Sequence, residues 1–402
     1  MKLFNAIMTA ALAISAPAYA LSPDGQGLYR ISNAQELEEF AALVNAGETT
    51  AKGVLTADID MTGVVHTAIG TTENPYRGEW DGRFHTIDNL EMEHEEGVNL
   101  AIFGVAAVGA KFSNTIIGSG CVFSGTDKIA GLVSQCRDAE EGTIEFNCIG
   151  NEAAVHAYNS DQGRAAGIAG PSNGNVFYSF NNCYNLGEVR GLLVGALSCY
   201  APKAQVRGCF TVTDVKKQAN EEGKAGNPSP VASILIAGVE EPLGPWTFSC
   251  FFGGSEGKGT YATNGYDSAT TWKPPYTLVE GIADDWVTYK VYESEWASTG
   301  LLCWYLNNQS DENPVWGQNF DEVDPYPTFL PGTKIVYKEN DEYVNKTEVL
   351  PGLEDLPEWS AVNEIAVSAE GKEEIYTLQG IKVEKIVTPG LYIVNGKKVM
   401  VK

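Results

Sequence analysis

A weak internal repeat is the feature that most limits what this chain can fold into. Five short segments share a small-apolar core closed by Gly or Ser: AIFG (101–104), GLVS (131–134), GIAG (167–170), LLVG (192–195) and LIAG (235–238). Successive closing positions lie between 25 and 43 residues apart, and each segment is followed within 11 to 14 residues by a second β-like run: SNTIIG, EFNCIG, NNCYNLG, RGCFTV and FSCFFGG. A repeat of this length that carries strand patterns rather than helical periodicity fits one coil of a β-solenoid, in which each coil buries its apolar face only by stacking on its neighbours.

The cysteines fall into the same frame. Cys148, Cys183, Cys209 and Cys250 follow Ser134, Gly170, Gly195 and Gly238 by 14, 13, 14 and 12 residues, which predicts a ladder of equivalent residues inside the core. In-register Cβ atoms about 4.8 Å apart sit wider than the roughly 3.8 Å of a disulfide, so the expected ladder is reduced and apolar. Cys121, Cys136, Cys199 and Cys303 complete the set of 8, with no CxxC spacing among them. That is too few for a disulfide framework to hold a chain this long.

Helical periodicity is confined to Ser32–Asn45, where Leu37, Phe40, Ala41 and Val44 share one face; Ser32 with Gln35 fits a capping box and Gly47 a stop. The first residues read differently. Lys2, an apolar stretch from Leu3 to Ile14, Pro17 and the triplet Ala18-Tyr19-Ala20 form a secretory signal with cleavage expected before Leu21. No later stretch approaches 18 apolar residues, so no membrane span is expected. With 27 Lys+Arg against 52 Asp+Glu, the chain repels nucleic-acid phosphates and anionic lipids, and neither is expected as a partner.

After Gly254 the Gly-apolar cores stop and aromatics crowd in, among them Trp272, Trp286, Trp296, Trp304, Trp316, Tyr326 and Phe329. Two readings stand: a packed cap closing the end of the solenoid, or a surface whose rings stack on sugars. The expected organisation is a signal at 1–20, a solenoid at 21–255, an aromatic-rich cap region at 256–350, a linker at 351–363 and a C-terminal β module at 364–402, with a tight turn at Asn395-Gly396. The fold class is all-β: an irregular right-handed parallel β-helix with a short N-terminal capping helix, the aromatic-rich region and the small terminal module.

The chemistry of common enzymes is not legible. His66, His85, His94 and His156 form no HExxH or paired-ligand spacing, so no metal site is expected, and no nucleophile elbow, P-loop or dinucleotide fingerprint calls for a cofactor. Asp58 and Asp60 are the catalytic candidates. Two apart on a strand, they point to one side about 6.5 Å from each other, within the range for glycoside hydrolysis. Carboxylates in such positions also accept N–H bonds from turns.

The run LYRISNAQELEEFAALVNAG, followed by GVLTADIDM, AIG, YRGEWDGRFHTIDNLEM and AIFG, resembles the opening of secreted bacterial β-helix proteins with GLUG-type repeats. The matching positions are Asp58, Ile59, Asp60 and Met61, then Gly78, Trp80, Asp81, Gly82, His85 and Ile87. A W-x-Q core at Trp316–Gln318 and a D-x-Y-P core at Asp324–Pro327 look like the tail that follows such repeats. The C-terminus, with Tyr376-Thr377-Leu378-Gln379-Gly380, Pro389–Val394 and the lysines 397, 398 and 402, is similar to sorting domains of type IX secretion cargo. These resemblances imply export to the outer surface of a Gram-negative bacterium through the type IX machinery. A long stack of rungs offers a rigid extended face that suits polymeric or cell-surface ligands, so the expected role is binding, as in adhesion or glycan contact. A polysaccharide lyase or glycoside hydrolase on the same scaffold is the competing reading. The sequence names no ligand-binding residues.

Overall fold

In the computed structural model the described chain begins at Leu21. Between 212 and 294 the description covers only the strands at 215–217, 228–229, 232–234, 246–251 and 287–291. Beyond 354 it covers only those at 375–377, 382–383, 390–394 and 397–401, and residues 160–162, 202, 309, 311 and 321–325 also fall outside it. The expected signal, the LIAG segment, Trp272, Trp286, Asp324 and the Asn395-Gly396 turn therefore lie outside the described residues, as does most of the expected linker.

The fold is a parallel β-helix. Its long face stacks Lys52–Leu55, Glu79–Asp81, Lys111–Ile117, Gly142–Asn151, Val176–Asn181, Lys203–Arg207 and Trp246–Phe251 as hydrogen-bonded neighbours. A second face stacks Glu91–Glu93, Val122–Gly125, Ala154–Ala157, Val189–Gly191 and Val215–Lys217. A third stacks Val98–Leu100, Asp127–Ala130, Arg164–Ala166, Leu193–Gly195 and Pro228–Ser229. Each coil visits the faces in turn, which makes every neighbouring pair on a face parallel.

Strand alternation decides what is buried. Gly53, Trp80, Phe112, Phe146, Phe180 and Val206 occupy one inward register position, so the coils stack an apolar column. The rings of Phe112 and Phe146 stack at 5.4 Å, those of Phe146 and Phe180 at 4.9 Å, and all three are fully buried. Deeper in the same face the amides of Asn151 and Asn185 form a buried pair, with Asn151 Nδ2 donating to Asn185 Oδ1 at 2.7 Å. Each amide also donates to a carbonyl two residues on, Asn151 to Ala153 and Asn185 to Gly187, so a slip of register would break the buried pair between coils.

At the first coil the helix Ala34–Asn45 lays Leu37, Phe40, Ala41 and Val44 over the core, with Phe40 5.7 Å from Trp80. It covers a stack that would otherwise end on bare apolar surface. Its cap is Asn33 rather than Ser32. Asn33 Oδ1 accepts from Glu36 N at 3.0 Å, while Glu36 Oε2 accepts from Ser32 N at 2.7 Å. The cap thus sits one residue later than the sequence suggested, and the Glu36 carboxylate reaches the residue before it rather than closing a box.

Two expectations about the repeat are corrected by the register. Phe103 pairs with Val133, Val133 with Ala169 and Ala169 with Ser198, which makes Gly104, Ser134, Gly170 and Cys199 equivalent. LLVG is thus four residues out of frame, and the fourth coil's true segment is Ala196–Cys199. A Cβ on Gly170 would stand 1.8 Å from the carbonyl oxygen of Ser134, so only glycine lets these coils close.

The cysteine ladder also divides. Cys183 and Cys209 are fully buried at the position of Ile149, with Cys183 N donating to Cys209 Sγ at 3.3 Å. Cys148 belongs one position earlier, in a column of left-handed residues formed by Asn114 (φ 50), Cys148 (φ 53), Asn182 (φ 53) and Gly208 (φ 60). Cys250 pairs with Phe210, one position later. The left-handed bend, a conformation suited to Asn and Gly, adds a step the linear spacing could not show. The seven cysteines whose side chains are described carry free thiols, six of them buried and Cys148 half-buried.

The described part of the aromatic-rich region pairs Val287–Val291 in parallel with Trp246–Phe251, the last strand of the long face, and packs the rest on the flank of the coils. Among the described residues, Ala297, Leu302, Cys303, Tyr305, Leu306, Trp316, Phe329 and Val336 form a second buried cluster against Ile116, Tyr184 and Phe210, outward residues of successive coils on the long face. Trp316 lies 5.3 Å from the Phe210 ring and Phe329 5.3 Å from that of Tyr184. The region is a lateral buttress, pinned by the antiparallel pair Lys334–Glu339 and Glu342–Val349. Residues 354–402, grouped with Pro23–Leu28, make a separate compact unit. Its sheet is antiparallel, in the order Lys382–Val383, Ile375–Thr377, Gly390–Val394, Lys397–Val401.

Candidate binding face

Alternation that sends phenylalanines inward on the long face sends polar residues outward beside them. One outward column holds Glu79, Lys111, Glu145, Ser179 and Gln205; the next holds Asp81, Ser113, Asn147, Asn181 and Arg207. The side chains bond along the stack. Asn181 Nδ2 donates to Asn147 Oδ1 at 2.9 Å and to Ser179 Oγ at 3.0 Å, and Gln205 Nε2 donates to Ser179 Oγ at 2.6 Å. Lys111 Nζ lies 3.6 Å from Glu145, and Lys52 Nζ 3.0 Å from Glu79. The result is a rigid array of amides and paired charges at coil spacing, in which the buried Ser179 hydroxyl ties Asn181 and Gln205 together beneath the half-buried amides. Such an array suits a hydroxyl-rich polymer. Glu79 and Glu145 are separated by Lys111, two coil steps or roughly 9.6 Å apart, which is a poor arrangement for an acid–base pair.

Asp58 and Asp60 lie elsewhere, on the edge leading to the second face. Both are exposed and flank the buried Ile59, so they do share a side. Asp58 Oδ1 accepts from Thr86 N at 2.9 Å and lies 3.1 Å from His85 Nδ1. Asp60 Oδ1 accepts from the Thr62 hydroxyl at 2.6 Å, Thr62 N at 3.0 Å and Asn89 Nδ2 at 3.0 Å. The hydrogen bonds from Thr62, and then Asn89, hold the Asp60 carboxyl below its usual range. A general acid needs the opposite shift. Asp88, in register with Asp60, accepts from Gly120 N at 2.9 Å in the same manner. These carboxylates tie one coil's turn to the next.

The remaining motif residues are structural in their contacts. Ile59, Met61, Trp80 and Ile87 are buried, Trp80 Nε1 donates to Thr115 Oγ1 at 3.0 Å, and Asp81 Oδ1 accepts from Arg83 N at 2.9 Å. His66 is buried against Glu38, with Nε2 2.9 Å from the Ile102 carbonyl. Among the described residues no group of three His, Cys, Asp or Glu side chains is placed to hold a metal ion, and no helix is long and apolar enough to cross a membrane. The amide column was within reach of the sequence: Asn147 and Asn181 are 34 residues apart, as are Phe112–Phe146 and Phe146–Phe180, but the cysteine frame drew attention to the wrong column.

The fold and this face define the class: a parallel β-helix with a buttressed flank and a polar long face. No family model and no curated protein matches the chain. Among solved structures, the crystal structure of a "putative immunoglobulin A1 protease" from Bacteroides ovatus is similar over 77% of this chain and 94% of that one, at 16% identity and a TM-score of 0.48. A likeness of this size carries nothing about activity.

Proposed function

We propose that this is an exported β-helix protein that acts at the cell surface by binding, with the outward columns of the long face contacting glycan chains. The observation that carries the reading is the continuous amide–hydroxyl array Asn147–Asn181–Ser179–Gln205, held rigid by its own hydrogen bonds and repeated at coil spacing. A polymer of hydroxylated units meets such an array without ordering it, which keeps the entropic cost of binding low. The signal-like residues 1–20, the GLUG-type resemblance and the sorting-domain resemblance of the C-terminus support export through the type IX route.

The test is a glycan array probed with the purified protein and with the double variant Asn181→Ala/Gln205→Ala. Binding by the parent that falls at least tenfold in the variant supports the reading. Equal binding by both removes the long face from it, and no binding to any glycan removes glycan contact altogether.

A further inference from the structure

The second face carries a column of a different character. Glu93, Ser124, His156, Arg190 and Lys216 share one register position on five successive strands, so the column runs from an acidic residue to basic ones. Tyr158, two residues beyond His156 and hence on the same side, is 47% exposed, and its ring lies 6.2 Å from that of His156. The ring is fixed in place because Ser124 Oγ donates to the Tyr158 hydroxyl at 3.0 Å.

His156 is held in turn by Glu188, 3.2 Å from Nε2. Arg190 is different: it is exposed, and among the described residues its guanidinium meets no carboxylate.

The distance along the column sets the size of what fits. From Ser124 to Arg190 is two coil steps, roughly 10 Å, about the reach of one sugar ring with a charged substituent. A guanidinium recognises a carboxylate through two parallel N–H···O bonds, and an exposed, positioned tyrosine ring offers an apolar face to the C–H face of a pyranose. The overall negative charge argues against a polyanion, whose every repeat would be repelled, but penalises a single carboxylate little at physiological ionic strength. The acidic Glu93 end fixes the polarity, with the carboxylate toward Arg190 and away from Glu93.

Building on the glycan-binding reading above, we propose that Tyr158, His156 and Arg190, with the buried Ser124 holding the Tyr158 ring, form a subsite for a glycan ending in a sugar that bears one carboxylate. Arg190 takes the carboxylate, and Tyr158 takes the ring.

The experiment is calorimetric titration of the purified protein with 3′-sialyllactose, which carries one carboxylate, and with lactose, which carries none. The expected result is a preference for 3′-sialyllactose of at least about tenfold, the strength of a charge-assisted hydrogen-bonded contact. Arg190→Gln abolishes the preference and Tyr158→Ala weakens it. Arg190 is exposed, so circular dichroism of Arg190→Gln should match the parent. Equal affinity for the two sugars, binding of neither, or an undiminished preference in Arg190→Gln overturns the subsite. Glycan-array binding that is sensitive to Asn181→Ala but indifferent to Arg190→Gln would leave the long-face reading standing while this one falls.

Discussion

Removing one ring from the stacked column tests whether the coils are held by aromatic packing. Phe146 is fully buried between Phe112 and Phe180, with Tyr178 edge-on at 5.6 Å. Phe146→Ala forfeits the burial of the ring, about 1.5–3 kcal/mol. It also forfeits three aromatic contacts worth about 0.5–1.5 kcal/mol each, offset by partial collapse of the neighbours. The expected loss is about 4 kcal/mol, inside the usual range for such a truncation. Phe146→Leu retains most of the volume and should lose about 1.5 kcal/mol or less. Guanidinium titration followed by far-ultraviolet circular dichroism gives the stability. Hydrogen exchange should show the amides of Phe112 and Phe180 losing protection before those near the N-terminal helix, because a solenoid transmits damage to nearest neighbours. A loss below about 1 kcal/mol in Phe146→Ala, or equal losses in the two variants, would refute the reasoning.

Four further outcomes follow from the geometry. Gly170→Ala pushes a methyl against the Ser134 carbonyl and should lower the melting temperature by an amount equivalent to at least about 2 kcal/mol. Burial raises the Cys121 thiol to about 11 and the Cys136 and Cys148 thiols to about 12. Because these folded values lie above the unfolded one of about 8.5, their contribution is complete below pH 8.5 and drains away as pH rises toward 11. Native protein at pH 8 should therefore react with a thiol reagent far more slowly than denatured protein, and a fast-reacting native thiol at Cys121, Cys136, Cys183, Cys199, Cys209 or Cys303 would contradict the burial. Asp58→Asn and Asp60→Asn should leave glycan binding unchanged in the array, while Asp60→Asn removes an acid-side dependence of stability, since a depressed carboxyl stabilises above its ordinary pKa and ceases to as pH falls. Trp316→Ala empties the contact with Phe210 and should expose the chain near Leu302 to limited proteolysis while the coil amides keep their hydrogen-exchange protection.

How much of this was legible depends on whether a residue's role is set locally or by its neighbours one coil away. The helix over residues 34–45 announced itself through its own 3.6-residue period, and the solenoid through its recurring strands. The fourth repeat did not, because Gly195 resembles the closing glycine of GIAG while the register assigns that place to Cys199. Cys148 was misplaced for a related reason. A single left-handed residue shifts inward and outward positions by one, and only Asn114, Asn182 and Gly208, residues that tolerate that conformation, hinted at it. Aromatic density shows that a region packs but not against what, and the flank partners Tyr184 and Phe210 lie more than a hundred residues upstream of Trp316 and Phe329. Arg190 and Tyr158 carry no motif, and only the stacking of separate coils brings them beside Ser124.

The central claim is that the chain binds glycans through its coil faces without cleaving them. The most direct measurement is to incubate the purified protein with the glycans it retains on an array, recover them, and compare their masses with untreated controls. Retention with unchanged mass is the result expected; shortened or unsaturated products would contradict it and return the carboxylates of the scaffold to catalysis.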